Sequence, residues 1–169
     1  DDPAGVPSMP AFGQGENLLV TGSTHDRFGY RKTDDPAVQN DLVRRINQKV
    51  LAHADHVCKT EGHYLDDAEV VVVAYGFTAR AALRAVKQAR AAGKKAGLLR
   101  LVTIWPFPET AIAGLAQKGV NFVVPEMNLG QAAFLVKSAA AGRPVVTLGQ
   151  VNGLTIEPAA IGRAIEEAA

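Results

Sequence analysis

The sequence predicts a three-layer α/β/α domain built on a mainly parallel, doubly wound sheet. From residue 69 onward, short runs of β-branched and other apolar residues alternate with longer helical segments rich in Ala. These runs are mostly apolar and do not alternate with polar residues, which is typical of strands that helices cover on both faces. Right-handed crossovers then place every strand-to-helix loop at the carboxyl edge of the sheet.

Four strand–helix units are expected in the α/β domain, residues 69–169. The predicted strands are residues 69–75, 96–103, 120–124 and 145–148. The predicted helices are residues 78–92, 108–118, 130–141 and 158–168. Gly93 and Gly119 mark the ends of the first two helices, and Pro108 suits the first turn of the second. We predict that strands 69–75 and 120–124 are central, with 96–103 outside the first and 145–148 outside the second.

The residues before 69 have a different composition. Residues 1–35 are rich in Pro and Gly and show little apolar periodicity. We expect them to form an extended leader that gains order against another surface. Residues 36–68 are expected to connect this leader to the α/β domain.

The connector begins with a predicted helix, residues 36–55. Asp35 and Pro36 are the residue types of an N-cap and a first helical position. One apolar face recurs every four residues, and we expect it to pack on the α/β domain. That face consists of Val38, Leu42, Ile46 and Val50. A polar linker, residues 56–68, is predicted to follow.

Length, charge and composition exclude several classes of protein. The 169 residues fit one domain with its own core. With 18 Lys+Arg and 17 Asp+Glu the net charge is +1, which argues against a dedicated nucleic-acid binder. No apolar run reaches the about 18–20 residues that span a bilayer, and no signal peptide is visible, so we expect a cytoplasmic protein without membrane contact. The missing initiator Met is compatible with a piece of a longer chain.

Metal-binding residue types are few. The lone Cys58 excludes an intrachain disulfide. His53, His56 and His63 lie near it in the chain, but the spacing does not match a zinc site, and we expect no metal there. Exposed or partly packed histidines, including His25, are the better interpretation.

Candidate ligand contacts lie in two loops at the carboxyl edge. Gly76 permits the turn after the first strand, and Thr78 is expected to cap a helix whose N–H groups could meet an anion. Plain capping is the simpler interpretation, since a dinucleotide fingerprint needs three glycines. In the second loop Asn128 can cap the third helix. Glu126 is the only acid nearby, and a lone carboxylate is not a catalytic constellation.

Candidate interface residues lie in the same region. Phe77, Trp105 and Phe107 are large for turns at this edge and indicate a protein interface or a ligand cleft. The competing interpretation is that Trp105 and Phe107 fill the domain's own core. A basic helix face is either simply solvated or a docking patch for an acidic partner or a phosphate-bearing cofactor. Its residues are Arg80, Arg84 and Lys87.

Several segments together resemble one family. Residues 72–80 (VVAYGFTAR), 98–108 (LLRLVTIWPFP) and 124–131 (VPEMNLGQ) are similar to the transketolase C-terminal-like region of the 2-oxoacid:ferredoxin oxidoreductase alpha subunit. Residues 21–26 (TGSTHD) resemble the connector behind that subunit's first domain. Members often have Gly-Leu-Glu-His-Asp there, and Ser is common where this chain has Phe77. The resemblance covers about residues 10–165.

The resemblance implies a thiamine-diphosphate enzyme that oxidatively decarboxylates a 2-oxoacid such as 2-oxoglutarate, forms acyl-CoA and reduces ferredoxin. Thiamine diphosphate, Mg²⁺, iron–sulfur clusters and coenzyme A are expected elsewhere in the complex, because one cysteine cannot hold a cluster and the Gly-Asp-Gly motif of thiamine enzymes is absent. The expected role is a non-catalytic scaffold or docking domain, inactive alone, with the beta subunit and other subunits as partners and a homo-oligomer possible.

Two alternatives stay open. One is a stand-alone Rossmann- or flavodoxin-like ligand-binding module, and the other is the equivalent domain of another thiamine-diphosphate enzyme.

Overall fold

The computed structural model describes residues 10–17, 20 and 22–169. The chain divides into two compact units, Asp1–Ala54 and Asp55–Ala169. Parts of the predicted leader (residues 1–9, 18, 19 and 21) lie outside the described residues, and with them Thr21 of the connector motif.

The described part of the first unit contains a tight turn followed by helix α1 (Pro36–Leu51). In the turn, His25 and Arg31 form an isolated antiparallel bridge. The predicted helix start is confirmed, because the Asp35 carboxylate accepts the N–H groups of Ala37 and Val38. The helix ends four residues before the predicted end, and none of its residues is buried. Its packing on the α/β domain stays a prediction.

After α1 come a short helix and two successive strands, and from the second strand onward strands and helices alternate. The elements after α1 are α2 (Ala54–Val57), β1 (Thr60–His63), β2 (Val70–Tyr75), α3 (Thr78–Ala91), β3 (Ala96–Leu101), α4 (Glu109–Gln117), β4 (Asn121–Glu126), α5 (Gln131–Ala139), β5 (Val145–Gly149) and α6 (Pro158–Ala168). The four predicted strands and four predicted helices are all present. Pro108 lies at the N-cap of α4, one residue before its first turn.

The strands form one five-stranded sheet in the order β1-β3-β2-β4-β5. The pairs β2–β3, β2–β4 and β4–β5 are parallel, so the predicted order of the four strands is confirmed. The chain passes from β2 to β3 on one side and then returns to β4 on the other. The direction of winding therefore reverses between β2 and β4, and the crevice at such a point is where doubly wound folds place their ligands.

The fifth strand corrects the predicted polar linker. Residues 60–63 form β1, which pairs antiparallel with β3 from Thr60↔Leu101 to His63↔Leu98. An ion pair between Arg100 and Glu61, 2.9 Å long, lies across the two strands. The segment Thr-Glu-Gly-His has little strand propensity of its own, and its extended form depends on pairing with a strand far along the chain.

Helices cover both faces of the sheet, as the largely apolar runs predict. Val70 and Val72 of β2 belong to a core shared with α3 and α6, whereas Val71 and Val73 belong to a core shared with α4 and α5. All four valines are at most 3% exposed. Burial of each contributes on the order of 1.5–3 kcal/mol, so both faces stabilise the three-layer arrangement.

Candidate functional site

The crevice between β2 and β4 holds a hydrogen-bonded group of polar side chains. Pairing of these two strands covers Val70–Val72 and Asn121–Val123, whereas β2 pairs with β3 up to Tyr75. Tyr75 and Glu126 are the last residues of their strands and lie beyond the paired segment. Their side chains meet there, with the Tyr75 hydroxyl 3.4 Å from Glu126 Oε2.

Glu126 fills the N-terminus of helix α5. The residue is only 1% exposed, and its two carboxylate oxygens accept the N–H groups of Ala132 and Ala133, both at 2.9 Å. The first N–H groups of a helix have no partner within the helix and carry partial positive charge, so they bind anions. The chain's own carboxylate therefore occupies the anion-binding position of α5.

Asn128 joins the crevice to the loop that follows β4. Its Nδ2 donates to the Tyr75 hydroxyl at 2.7 Å, and its Oδ1 accepts the N–H groups of Gly130 at 2.9 Å and Gln131 at 3.1 Å. The N-cap of α5 is Gly130 and not Asn128, although the Asn128 side chain accepts the N–H of Gln131, the first residue of the helix. Burial, followed by the nearby Glu126 carboxylate, raises the pKa of Tyr75 above its ordinary value. The folded state therefore favours the protonated phenol, which can donate to Glu126.

Two glycines allow the loop of residues 127–130 to lie in this position. Gly130 has φ of +107°, a backbone conformation that residues with a Cβ rarely adopt. A Cβ on Gly149, at the end of β5, would come within 2.8 Å of the Asn128 carbonyl oxygen. The loop therefore packs against a backbone position where only glycine leaves enough room.

The loop after β2 differs from the prediction. Gly76 makes the turn with φ of +53°, as expected. Helix α3, however, is entered at Phe77, which has helical dihedrals and makes no side-chain cap, while Thr78 is already the first helical residue and is 8% exposed. The predicted capping by Thr78 is wrong because the chain takes up helical geometry one residue earlier. An anion contact at Gly76 and Thr78 stays a prediction.

Exposed apolar side chains lie on all four loops at the carboxyl edge, and we call this set the apolar rim. Phe77 and Trp105 are 59% and 53% exposed, whereas Phe107 is half-buried and packs against the core. Sequence reasoning missed most of the set, although unpatterned apolar residues in loops were a visible signal. The apolar rim consists of Phe77, Val102, Ile104, Trp105, Met127, Leu129, Val151 and Leu154.

The other predicted site residues lie apart from this crevice. Arg80, Arg84 and Lys87 are exposed along α3. His63 ends β1, His56 lies in α2, and Cys58 is a free, partly exposed thiol. Within residues 10–17, 20 and 22–169, no three His, Cys, Asp or Glu side chains are grouped so that they could hold a metal ion. No helix in the same described part of the chain is long and apolar enough to cross a bilayer.

Comparison with known proteins decides the family. Residues 68–161 match the model of pyruvate:ferredoxin oxidoreductase core domain II. The 2-oxoglutarate synthase subunit KorA of Methanothermobacter thermautotrophicus is 42% identical over 144 residues, which are 85% of this chain. The chain belongs to the 2-oxoacid:ferredoxin oxidoreductase family. It spans 38% of the length of that KorA subunit, and 43% of the KorA subunit of Methanocaldococcus jannaschii, which is 39% identical over 161 residues.

Solved structures agree on the fold of this 2-oxoacid:ferredoxin oxidoreductase chain. The 2-oxoglutarate:ferredoxin oxidoreductase from Magnetococcus marinus, solved with 2-oxoglutarate, coenzyme A and succinyl-CoA, superposes over 99% of the chain with a TM-score of 0.77 and 21% identity. The match covers 29% of that protein's chain. A split-gene transketolase superposes over 64% of the chain with a TM-score of 0.53. The transketolase-like α/β architecture expected from the sequence is therefore confirmed.

Proposed function

We propose that this chain is the C-terminal region of the alpha subunit of a 2-oxoglutarate:ferredoxin oxidoreductase, and that its α/β domain is a scaffold and docking domain without catalytic groups. The observation that carries the proposal is the crevice between β2 and β4. In doubly wound folds this crevice receives the ligand, but here the buried Glu126 carboxylate already binds the α5 N-terminus. The helix N–H groups that would face a ligand in the crevice are therefore already bonded to a carboxylate of the same chain.

The residues of this chain do not fit the cofactors of the complete enzyme. An iron–sulfur cluster needs several thiolates, and Cys58 is the single cysteine. The positions around the crevice supply an amide, a phenol and a carboxylate that are bonded to one another. We propose that thiamine diphosphate, Mg²⁺, the clusters and coenzyme A bind in other parts of the complex, such as the beta subunit, and that the enzyme is cytoplasmic.

The apolar rim supplies the docking function. Its eight side chains come from four loops at one edge of the sheet, and each is at least 40% exposed. A group of exposed apolar side chains of this size marks an interface more often than plain surface. Trp105 and Phe77 are its two aromatic side chains, and aromatic residues are enriched among those that dominate binding energy. We propose that the rim contacts another part of the oxidoreductase.

The experiment is assembly and turnover of the complete oxidoreductase carrying Phe77→Ser and Trp105→Ser in the alpha subunit. We expect the double variant to assemble about 100-fold more weakly, because each aromatic side chain would otherwise be buried in the interface. Ferredoxin reduction should be followed with 2-oxoglutarate and with a branched-chain 2-oxoacid, since two relatives, 40% and 38% identical, are named ketoisovalerate oxidoreductase subunit VorB. Faster turnover of the branched-chain acid would contradict the proposed substrate.

The control is Phe107→Leu, at a half-buried position that packs against the core. This variant should lower the thermal stability of the subunit and leave the affinity of assembly unchanged. Normal assembly and turnover of the Phe77→Ser, Trp105→Ser variant would show that the rim is plain surface and that the docking role is wrong.

A further inference from the structure

We propose that Asn152, in the loop between β5 and α6, is a site of spontaneous deamidation, a covalent modification that consumes only water. The Gly153 backbone nitrogen attacks the side-chain amide carbon of Asn152, and the proton of that nitrogen passes to hydroxide. The side-chain amide nitrogen takes a proton from water and leaves as ammonia, so that a five-membered succinimide ring forms. Water then opens this ring to aspartate or isoaspartate at position 152.

The residue after Asn152 leaves the attacking nitrogen accessible. Ring closure brings this nitrogen against the side-chain amide carbon, and a Cβ on the following residue would crowd the approach. Glycine has no Cβ, and its backbone adopts many conformations at little cost. Asn152 is the single asparagine in the 169 residues that is followed by glycine. The sequence therefore favours the reaction at this asparagine over the others.

The loop holds the Asn152 side chain against its own backbone. Asn152 Oδ1 accepts the N–H of Leu154 at 3.0 Å, which closes a turn around the Gly153 peptide. Attack on the amide carbon places negative charge on this same oxygen, and an N–H group that already points at the oxygen stabilises that charge. Gln150 fixes the turn, because its N–H donates to the Glu126 carbonyl oxygen at 3.0 Å and its side chain donates to the Leu154 carbonyl oxygen at 2.7 Å.

Water and hydroxide reach the Gly153 peptide. Residues 151–155 are all exposed, and a Cβ on Gly153 would meet no heavy atom within 4 Å beyond its two chain neighbours. In the part of the chain that the structure describes, no hydrogen bond engages the Gly153 N–H. The proton that must be removed is therefore open to solvent, and no bond has to break before it leaves.

Asn128 has the same kind of turn and supplies a comparison within the chain. Its Oδ1 accepts the N–H of Gly130, two residues further on, at 2.9 Å. It is followed by Leu129, and its amide nitrogen donates to the Tyr75 hydroxyl at 2.7 Å, which holds the leaving group in place. Because ring closure at Asn128 strains the backbone, we expect Asn152 to react about 10-fold to 100-fold faster.

The test uses the full-length alpha subunit, purified without its partners, so that the result does not depend on the docking function. Peptide mass spectrometry follows the conversion of amide to carboxylate during incubation, and protein L-isoaspartate methyltransferase measures the isoaspartate formed. We expect both signals in the peptide that contains Asn152. The rate should rise about 10-fold for each unit of pH, because hydroxide removes the Gly153 proton. Conversion that is absent there, or equally fast at Asn128, would overturn the proposal.

Two glycine variants separate the chemistry at Asn152 from the effect of backbone strain. Gly153→Ala should slow the reaction by about 10-fold or more. The matched control is Gly142→Ala, since Gly142 has φ of +82° against +78° for Gly153, and its Cβ would likewise meet no other heavy atom within 4 Å. This control introduces the same strain at another turn and should leave the rate at Asn152 unchanged. Equal slowing in both variants, or no slowing in Gly153→Ala, would show that the proposed reaction is wrong.

Discussion

Replacement of Glu126 by Gln tests whether the buried carboxylate stabilises the α/β domain. Glutamine has nearly the same shape, but it has one acceptor oxygen where the carboxylate has two, and here each oxygen accepts an N–H of α5. One buried N–H is left without an acceptor, at a cost of about 1–3 kcal/mol. Loss of the negative charge at the helix N-terminus adds about 0.3–2 kcal/mol. We therefore expect Glu126→Gln to lower the free energy of unfolding by about 1–5 kcal/mol.

The assay is urea unfolding of the 169-residue chain, followed by far-UV circular dichroism. The matched control is Glu109→Gln, because Glu109 lies in the first turn of α4 but is exposed. An exposed charge at a helix N-terminus contributes about 0.3–1 kcal/mol, so this control should change stability little. Equal losses in the two variants, or a loss below about 0.5 kcal/mol in Glu126→Gln, would refute the reasoning.

Two further predictions concern the core and the crevice. Leu99 is 3% exposed in β3, between β1 and β2, so Leu99→Ala should lower the free energy of unfolding by about 2–5 kcal/mol in urea unfolding. The control Leu154→Ala, at an exposed position, should lower it by less than about 0.5 kcal/mol. A similar loss of stability in both variants would contradict the prediction. Burial and the Glu126 carboxylate raise the pKa of Tyr75, and a raised pKa means that the folded state favours the protonated phenol. That contribution to stability is complete below the ordinary pKa of 10.0 and is lost as the pH rises through the raised value. Phenolate absorbance should show a late-titrating tyrosine that Tyr75→Phe removes, and unchanged titration in that variant would count against the network.

The local sequence determined the parts of the fold that depend on local interactions. Four largely apolar runs predicted strands that helices cover on both faces, and the observed order of these strands is the predicted one. Strands β2, β3 and β4 are mostly buried, whereas the edge strand β5 has no buried residue. The start of α1 was predictable for a similar reason, because Asp35 caps N–H groups only two and three residues away. In both cases the residue types and their immediate neighbours contain the necessary information.

The tertiary structure decided which residues form β1 and what Glu126 does. Residues 60–63 become a strand only through pairing with β3, almost forty positions along the chain, as the Glu61–Arg100 contact shows. Glu126 looked like an isolated acid in a loop, yet it is buried against α5 and bonded to Tyr75, 51 residues away. Such contacts depend on how parallel strands bring their carboxyl ends together, and no residue pattern within one segment records that geometry. The sequence therefore indicated the edge of the sheet where a site would lie, whereas only the folded chain showed that its own carboxylate fills it.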